Sequence, residues 1–277
     1  MTPPPEPGGT PAGGGWTLLG NDDGVDSPAL VPFARALAAR GEVRVVVPDR
    51  ERSWIGKAIT RVGTVTVATA EVDGLTVTTC SGTPADAVQL GVHALWPDGP
   101  PALVVAGINL GYNHGSSFVA SSGTLGAAIE GHLAGIPSIA FSCGVREDFA
   151  GWRRSLLADD HAEGWARLAT RCVGLVDVIL EAGLHDHADV VSVNLPFDAD
   201  EDTPVRVTTV AETGYDGLFT AVGEGGFVHD LRGGVRVTAD PRSDVAAADD
   251  GAISITALRL PRAVELPSDV RARVERA

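Results

Sequence analysis

The sequence predicts an α/β fold: a Rossmann-like three-layer core with a mostly parallel sheet, followed by a β-hairpin-rich C-terminal extension. Three observations lead there. Short apolar runs of strand length recur at residues 17–19, 43–48, 102–109 and 136–142, and the chain between the first two is long enough for a helical crossover, as parallel pairing requires. The first and third of these runs empty into polar side chains, Asp22 and Asp23 after one and Asn109 at the end of the other. From residue 205 onward the pattern turns β-branched and glycine-rich, with no comparable helix until the last dozen residues.

Taken in order, residues 17–19 read as a buried strand whose carboxyl end carries Asn21, Asp22 and Asp23. Carboxyl ends of strands are where open α/β sheets hold their ligands. Gly24 permits a turn, and Asp26 or Ser27 can cap a helix running from about Pro28 to Arg40. The strand at 43–48 completes a βαβ unit, and residues 49–60 leave it on the same edge as the two aspartates. Residues 64–70 and 75–79 alternate around Asp73-Gly74, a hairpin signal. Pro84 sits at the first position of a helix reaching about Leu95, with Ser81 or Thr83 as its cap.

The run at 102–109 is followed by Gly111, Asn113 and Gly115. Ser121-Ser122-Gly123-Thr124 opens a helix so rich in small residues that it can approach a sheet closely, and 136–142 is a fourth parallel strand. Within 147–183, Trp165, Leu168, Val173, Val176, Ile179 and Leu180 recur at helical spacing and read as core. His185, His187 and Asp189 read as a solvated loop before a strand at 190–195, in preference to a metal cluster. Strands at 205–210, 227–229, 235–238 and 253–260 precede a final helix. The expected division is a disordered tail at 1–15, a core at 16–200, and at 201–277 an extension, a return strand and a C-terminal helix.

Composition narrows the function. With 277 residues and 44% apolar content, the chain can bury a substantial core. A net charge of −15 argues against a nucleic-acid polymer as partner, since such binding rests on Lys and Arg neutralising phosphates. A single phosphate held through a metal escapes that objection. No Lys or Arg precedes Arg35, no apolar run reaches membrane-spanning length, and Cys80, Cys143 and Cys172 form no close pair. These features lead us to expect a cytoplasmic protein with no membrane partner. Lys57 is the sole lysine beside 20 arginines, and Asn21, Asn109, Asn113 and Asn194 are the only asparagines. Lys57 and three of those asparagines fall in the stretches already singled out.

Two adjacent carboxylates repel unless a cation, a shared proton or full solvation relieves them. A solvated acidic turn is the plain reading of an isolated Asp-Asp-Gly. The alternative is a hard divalent ion, Mg2+ or Mn2+, suited to oxygen ligands. Ser53 and Lys57 reach the same edge after the second strand, and Asn109 offers a neutral amide oxygen. The hydroxyl-rich helix start at Ser122–Thr124 can receive an anion on its free N–H groups. Each residue also has an ordinary role: turn former for Ser53 and Asn109, helix cap for Ser122 or Thr124, surface charge for Lys57. Neither G-x-G-x-x-G after the first strand nor G-x-x-x-x-G-K-[ST] is present, so phosphoryl hydrolysis fits better than nicotinamide or NTPase chemistry.

Four segments in order, Leu-Gly-Asn-Asp-Asp-Gly-Val-Asp-Ser-Pro, Pro-Asp-Arg-Glu-Arg-Ser-Trp-Ile-Gly-Lys-Ala-Ile-Thr, Ala-Gly-Ile-Asn-Leu-Gly-Tyr-Asn-His-Gly and Ser-Gly-Thr-Leu-Gly-Ala-Ala-Ile-Glu-Gly, resemble the SurE family of 5'/3'-nucleotidases. The resemblance implies one divalent metal ion per subunit, Mg2+ or Mn2+, held by Asp22, Asp23, Ser53 and Asn109. It implies phosphate contacts from Asn113, Ser122, Gly123 and Thr124, to which we add Asn21. The substrate class implied is a small phosphate monoester, a nucleoside monophosphate, and the assembly a homodimer or homotetramer joined through the C-terminal hairpins. The mechanism expected is attack by a water that the metal acidifies and Asp22 or Asp23 orients, with Lys57 and the helix start stabilising departing charge. An aspartyl-phosphate route is the rival, without the D-x-D spacing it usually shows.

Departures from the family pattern lie beside the phosphate pocket: Ser116 and Ser117 stand where acidic residues are common, Ser121 replaces a tyrosine, and Ala58 lacks a polar group. They leave open a phosphatase specialised for one metabolite, or a nucleotide-binding module without turnover. Trp54, Tyr112 and Phe118 can stack on a base, with packing the preferred reading.

Overall fold

In the computed structural model, residues 15–145, 149–157, 161–231 and 234–276 are described. The expected disordered tail falls almost wholly outside them. β1 (Thr17–Gly20) leads through α1 (Leu30–Ala38) to β2 (Val43–Pro48), then to the hairpin β3 (Val67–Val72) and β4 (Leu75–Cys80). α2 (Pro84–His93), β5 (Leu103–Leu110), α3 (Ser116–Ser121), α4 (Gly123–Leu133) and β6 (Ser138–Gly144) follow. After α5 (Phe149–Leu156) and α6 (Ala162–Glu181) comes β7 (Val190–Pro196). The remainder holds β8 (Val205–Val207), β9 (Thr213–Tyr215), β10 (Phe219–Ala221), β11 (Phe227–His229), β12 (Val235–Val237), α7 (Asp244–Asp249), β13 (Ile253–Leu258) and α8 (Ser268–Val274).

One sheet carries the order β3-β4-β2-β1-β5-β6-β7-β13-β8. Its centre, from β4 through β2, β1, β5 and β6 to β7, is parallel, while β3 and β13 pair antiparallel with their inner neighbours. Successive side chains of a strand face opposite ways, and both faces are covered. Leu19, Val45, Val47, Val105 and Phe141 pack with Phe33 and Leu37 of α1 and Leu168 and Val176 of α6. Leu18, Val46, Val104 and Ala140 pack with Val88 and Val92 of α2 and Leu125 and Ala128 of α4. The small residues of α4 let it sit close: a Cβ at Gly131 would lie 2.8 Å from Val104.

Local signals decide several boundaries. The hydroxyl of Thr83 accepts from Asp86 N while the Asp86 carboxylate accepts from Thr83 N, so a capping box with Pro84 inside it starts α2. Asp73 and Gly74 both take positive φ, as the tight hairpin of β3 and β4 requires. The start of α1 differs from the sequence expectation. The helix begins at Leu30, and its N-cap is Ala29 with no side-chain hydrogen bond. Backbone turns from Ser27 N to Gly24 O and from Leu30 N to Ser27 O carry the chain into it, so neither Asp26 nor Ser27 caps. The long helical region is two helices, α5 and α6, and the interval between them is only partly described.

β13 returns into the sheet beside β7, whereas β9 pairs with β12 and β10 with β11 as two-stranded ribbons. Phe219 and Phe227 are exposed on the second ribbon. Asp189, expected in a solvated loop, is buried and accepts from Leu260 N at 2.8 Å and from Arg262 at 3.2 Å, tying down the segment after β13. Among the described residues no helix is long and apolar enough to cross a membrane.

Candidate active site

The carboxyl ends of β1, β2 and β5 meet the start of α4 around a cavity of about 630 Å³. Asp22, Ser53, Asn109, Asn113 and Ser122 line it, together with Glu51, Trp54, Tyr112, His114, Phe118 and His229. Asp22, Ser53 and Asn109 arrive because β1, β2 and β5 end where they do. β1 runs out at Gly20, and two residues later Asp22 turns into the space between β1 and α4. The loop after β2 is laced to it, since Arg52 N donates to Asp22 O at 2.7 Å. Gly24 holds φ +85°, and a Cβ there would strike the Arg50 backbone at 2.7 Å, so the two loops lie in contact.

Asp22 is the electrostatic centre. The Thr124 hydroxyl donates to its Oδ1, and a Cβ on Gly123 would come within 2.8 Å of its Oδ2. Burial raises its pKa to about 6. The Thr124 hydroxyl and the backbone N–H groups of residues 22 and 124 oppose that rise, and the nearby charge of Glu51 adds to it. No basic side chain forms an ion pair with Asp22 among the described residues. Asp23, half-buried, accepts from Leu110 N at 3.0 Å, which places it beside Asn109. Asn109 donates its amide N–H to Gly111 O at 2.7 Å, leaving the amide oxygen as its remaining donor atom for a cation. The Ser53 hydroxyl donates to Glu51 Oε1 at 2.7 Å.

The donor set fits a hard divalent ion. Among the described residues no group of three or more His, Cys, Asp and Glu side chains is placed to hold a metal. A metal held here would need neutral oxygens besides carboxylates, and Ser53 and Asn109 could offer them next to Asp22 and Asp23. That chemistry suits Mg2+ or Mn2+ and disfavours zinc. The cavity lining contains the carboxylates of Asp22 and Glu51 and neither Lys nor Arg. A bound cation would thus be the natural partner for a buried carboxylate held this high in pKa.

Other sequence candidates take different places. Asn21 is buried in the turn, its Oδ1 accepting from Gly24 N and its Nδ2 donating to Gly24 O, both at 3.0 Å. It holds the loop and is not part of the cavity wall. Lys57 is likewise outside the wall, ion-paired at 2.6 Å with buried Glu130, whose other oxygen accepts from Gln89. Thr124 and Gly123 support Asp22 from behind, so of the helix-start residues it is Ser122 that faces the cavity, although its hydroxyl also caps α4 through Leu125 N. Asn113 lines the cavity and is fixed by Asn194 and Ser142.

Residues that sequence reasoning did not select also line the space. Glu51 had a visible signal, standing two positions before Ser53. His114 stacks on Tyr112 at 4.9 Å with planes 19° apart, and burial lowers its pKa. His229 comes from β11, far along the chain. Thr213 is reached through Ser116 and Ser117. The Ser117 N–H donates to Thr213 Oγ1 at 3.0 Å, and the buried Asp244 accepts from both Gly115 N and Ala211 N. The serines that depart from the family pattern dock the extension onto α3.

A parallel sheet between two helical layers, with a cavity lined by oxygen-bearing side chains at its strand ends against a helix start, defines a class: α/β proteins of Rossmann-like architecture with a candidate ligand site at the carboxyl ends of their strands. The sequence matches the profile of Survival protein SurE over residues 17–217, and the chain belongs to the SurE family. A relative from Methanocella arvoryzae, 36% identical over 200 residues covering 72% of this chain and 73% of its own, bears the name 5'-nucleotidase SurE. One from Halobacterium salinarum with the same name is 35% identical over 264 residues, covering 90% and 92%. The crystal structure of a SurE protein from Aquifex aeolicus superposes with a TM-score of 0.67 at 28% identity, covering 94% of this chain and 97% of that one.

Proposed function

We propose that this protein is a metal-dependent phosphomonoesterase that hydrolyses nucleoside 5'-monophosphates, and their 3' isomers, to nucleoside and phosphate. The observation that carries the proposal is one cavity holding Asp22, Ser53 and Asn109 together with the aromatic side chains of Trp54, Tyr112 and Phe118. Its volume lies within the range of small-molecule sites, about 300–1,000 Å³. The relatives' name, 5'-nucleotidase, points the same way.

Asp22, Asp23, Ser53 and Asn109 would hold the ion. When bound, a divalent ion supplies a Lewis acid for the phosphoryl oxygens and makes water a better nucleophile at neutral pH. Asp22 or Asp23 orients that water and accepts its proton. Asn113 and Ser122 position the phosphate at the helix start. The protein acts as a cytoplasmic homodimer or homotetramer, and the exposed apolar ribbon carrying Phe219 and Phe227 is the surface such an assembly would cover.

The test is phosphate release from a panel of 5'- and 3'-nucleotides, sugar phosphates and tripolyphosphate, with Mg2+, Mn2+ or EDTA. Release from nucleotides that EDTA abolishes, and that Asp23→Asn lowers at least a hundredfold without unfolding the protein, is the expected result. Near-normal turnover in Asp23→Asn would remove the metal assignment. Silence on every substrate would leave a binding module.

A further inference from the structure

Trp54 has a backbone φ of +61°, a left-handed conformation unusual for a bulky side chain. Its loop is pinned on both sides, by Arg52 N to Asp22 O at 2.7 Å and by Gly56 N to Ser121 O at 2.9 Å. Such a conformation persists where the surroundings over-determine it, and it concentrates at ligand clamps. Three rings from three separate elements brace the indole. Phe118 of α3 lies 5.6 Å away, Tyr215 of β9 5.7 Å and His229 of β11 4.8 Å, with planes tilted by 55–69°. Trp54 nevertheless stays half-buried and lines the cavity. It also directly follows Ser53 in the chain.

Charge in the same cavity is one-sided. Asp22 and Glu51 are its carboxylates, and no Lys or Arg lines it. A monoester needs only the one cation that Asp22, Asp23, Ser53 and Asn109 are suited to hold.

We infer that Trp54 is a specificity-determining residue, a rigid platform on which the substrate's nucleobase stacks. It would select nucleoside monophosphates over sugar phosphates. This rests on the phosphomonoesterase reading above. Stacking on an aromatic side chain is sequence-tolerant, because every base has a π-face. Trp54 therefore favours nucleotides as a class over phosphates that lack a base and discriminates little among bases.

The experiment compares kcat/KM for a purine nucleoside 5'-monophosphate and for ribose 5-phosphate in wild type, Trp54→Ala and Trp54→Phe. Calorimetric binding of the free nucleoside is measured alongside, and thermal unfolding checks each variant. The nucleotide-to-sugar ratio should fall about tenfold in Trp54→Ala, mainly through KM, and recover most of its value in Trp54→Phe, with nucleoside binding weakened in parallel. A ratio unchanged by Trp54→Ala, or nucleoside binding that ignores the substitution, would overturn the platform and leave Trp54 a packing residue. If wild type hydrolyses no monoester, the phosphomonoesterase reading fails, and nucleoside binding by wild type against Trp54→Ala still decides the platform by itself.

Discussion

The hydroxyl of Thr124, in the first turn of α4, donates to Oδ1 of Asp22, two residues past the end of β1, across 102 positions of sequence. The bond joins a helix start to the one deeply buried carboxylate of the cavity wall. It also sits where the positive end of the α4 dipole favours a negative charge.

Thr124→Val keeps the shape and removes the donor. Hydrogen bonds to charged groups contribute about 1.5–3 kcal/mol, so the Asp22 carboxylate should bind its ion less well. Phosphate release at sub-saturating Mg2+ should fall about tenfold or more, and Thr124→Ser should restore it. Full activity of the valine variant would show that the bond does not organise the site.

Lys57 and Glu130 are separated by 2.6 Å, and Glu130 is buried. Lys57→Met leaves that carboxylate without its ion-pair partner. A loss of about 1–3 kcal/mol in unfolding free energy is expected, with kcat changed less than threefold. The reverse pattern, a large drop in kcat at unchanged stability, would return Lys57 to the leaving-group role suggested by its place in the sequence.

Asp86 links the segment at Thr60 to the α2 cap. Burial by itself would raise its pKa. The hydrogen bonds from Thr60 and Thr83 outweigh that and hold it below the usual carboxylate range. A depressed carboxylate stabilises the fold above the unfolded pKa of about 4, and that stability is lost as pH falls through the lower folded value. In urea unfolding, Asp86→Asn should be less stable than wild type by about 1 kcal/mol at pH 7. The gap should narrow at pH 3. A pH-independent gap would mean that charge plays no part.

Much of the core was legible because strand and helix periods are local properties. The runs ending at Asp22 and Asn109 need no distant partner to be recognised, and the capping box of Thr83 and Asp86 lies within four residues. The α1 start is not legible in the sequence because consecutive backbone turns after Gly24 do the work expected of a capping side chain, and backbone geometry leaves little mark on residue type. The burial of Asp189 is not visible in its neighbourhood, because Arg262, its partner, lies 73 positions away.

The sequence by itself determined the layering of the core, the strand ends at which polar groups gather, and the presence of Asp22, Ser53 and Asn109 at those ends. Tertiary structure alone decided how those groups are used. It commits Asn21 to Gly24 and Lys57 to Glu130, places Thr124 behind Asp22, and brings His229 from the extension to Trp54. The physical reason is that periodicity is set by neighbours along the chain, whereas the pairing of a buried polar group is set by whichever partner packing brings within about 3 Å.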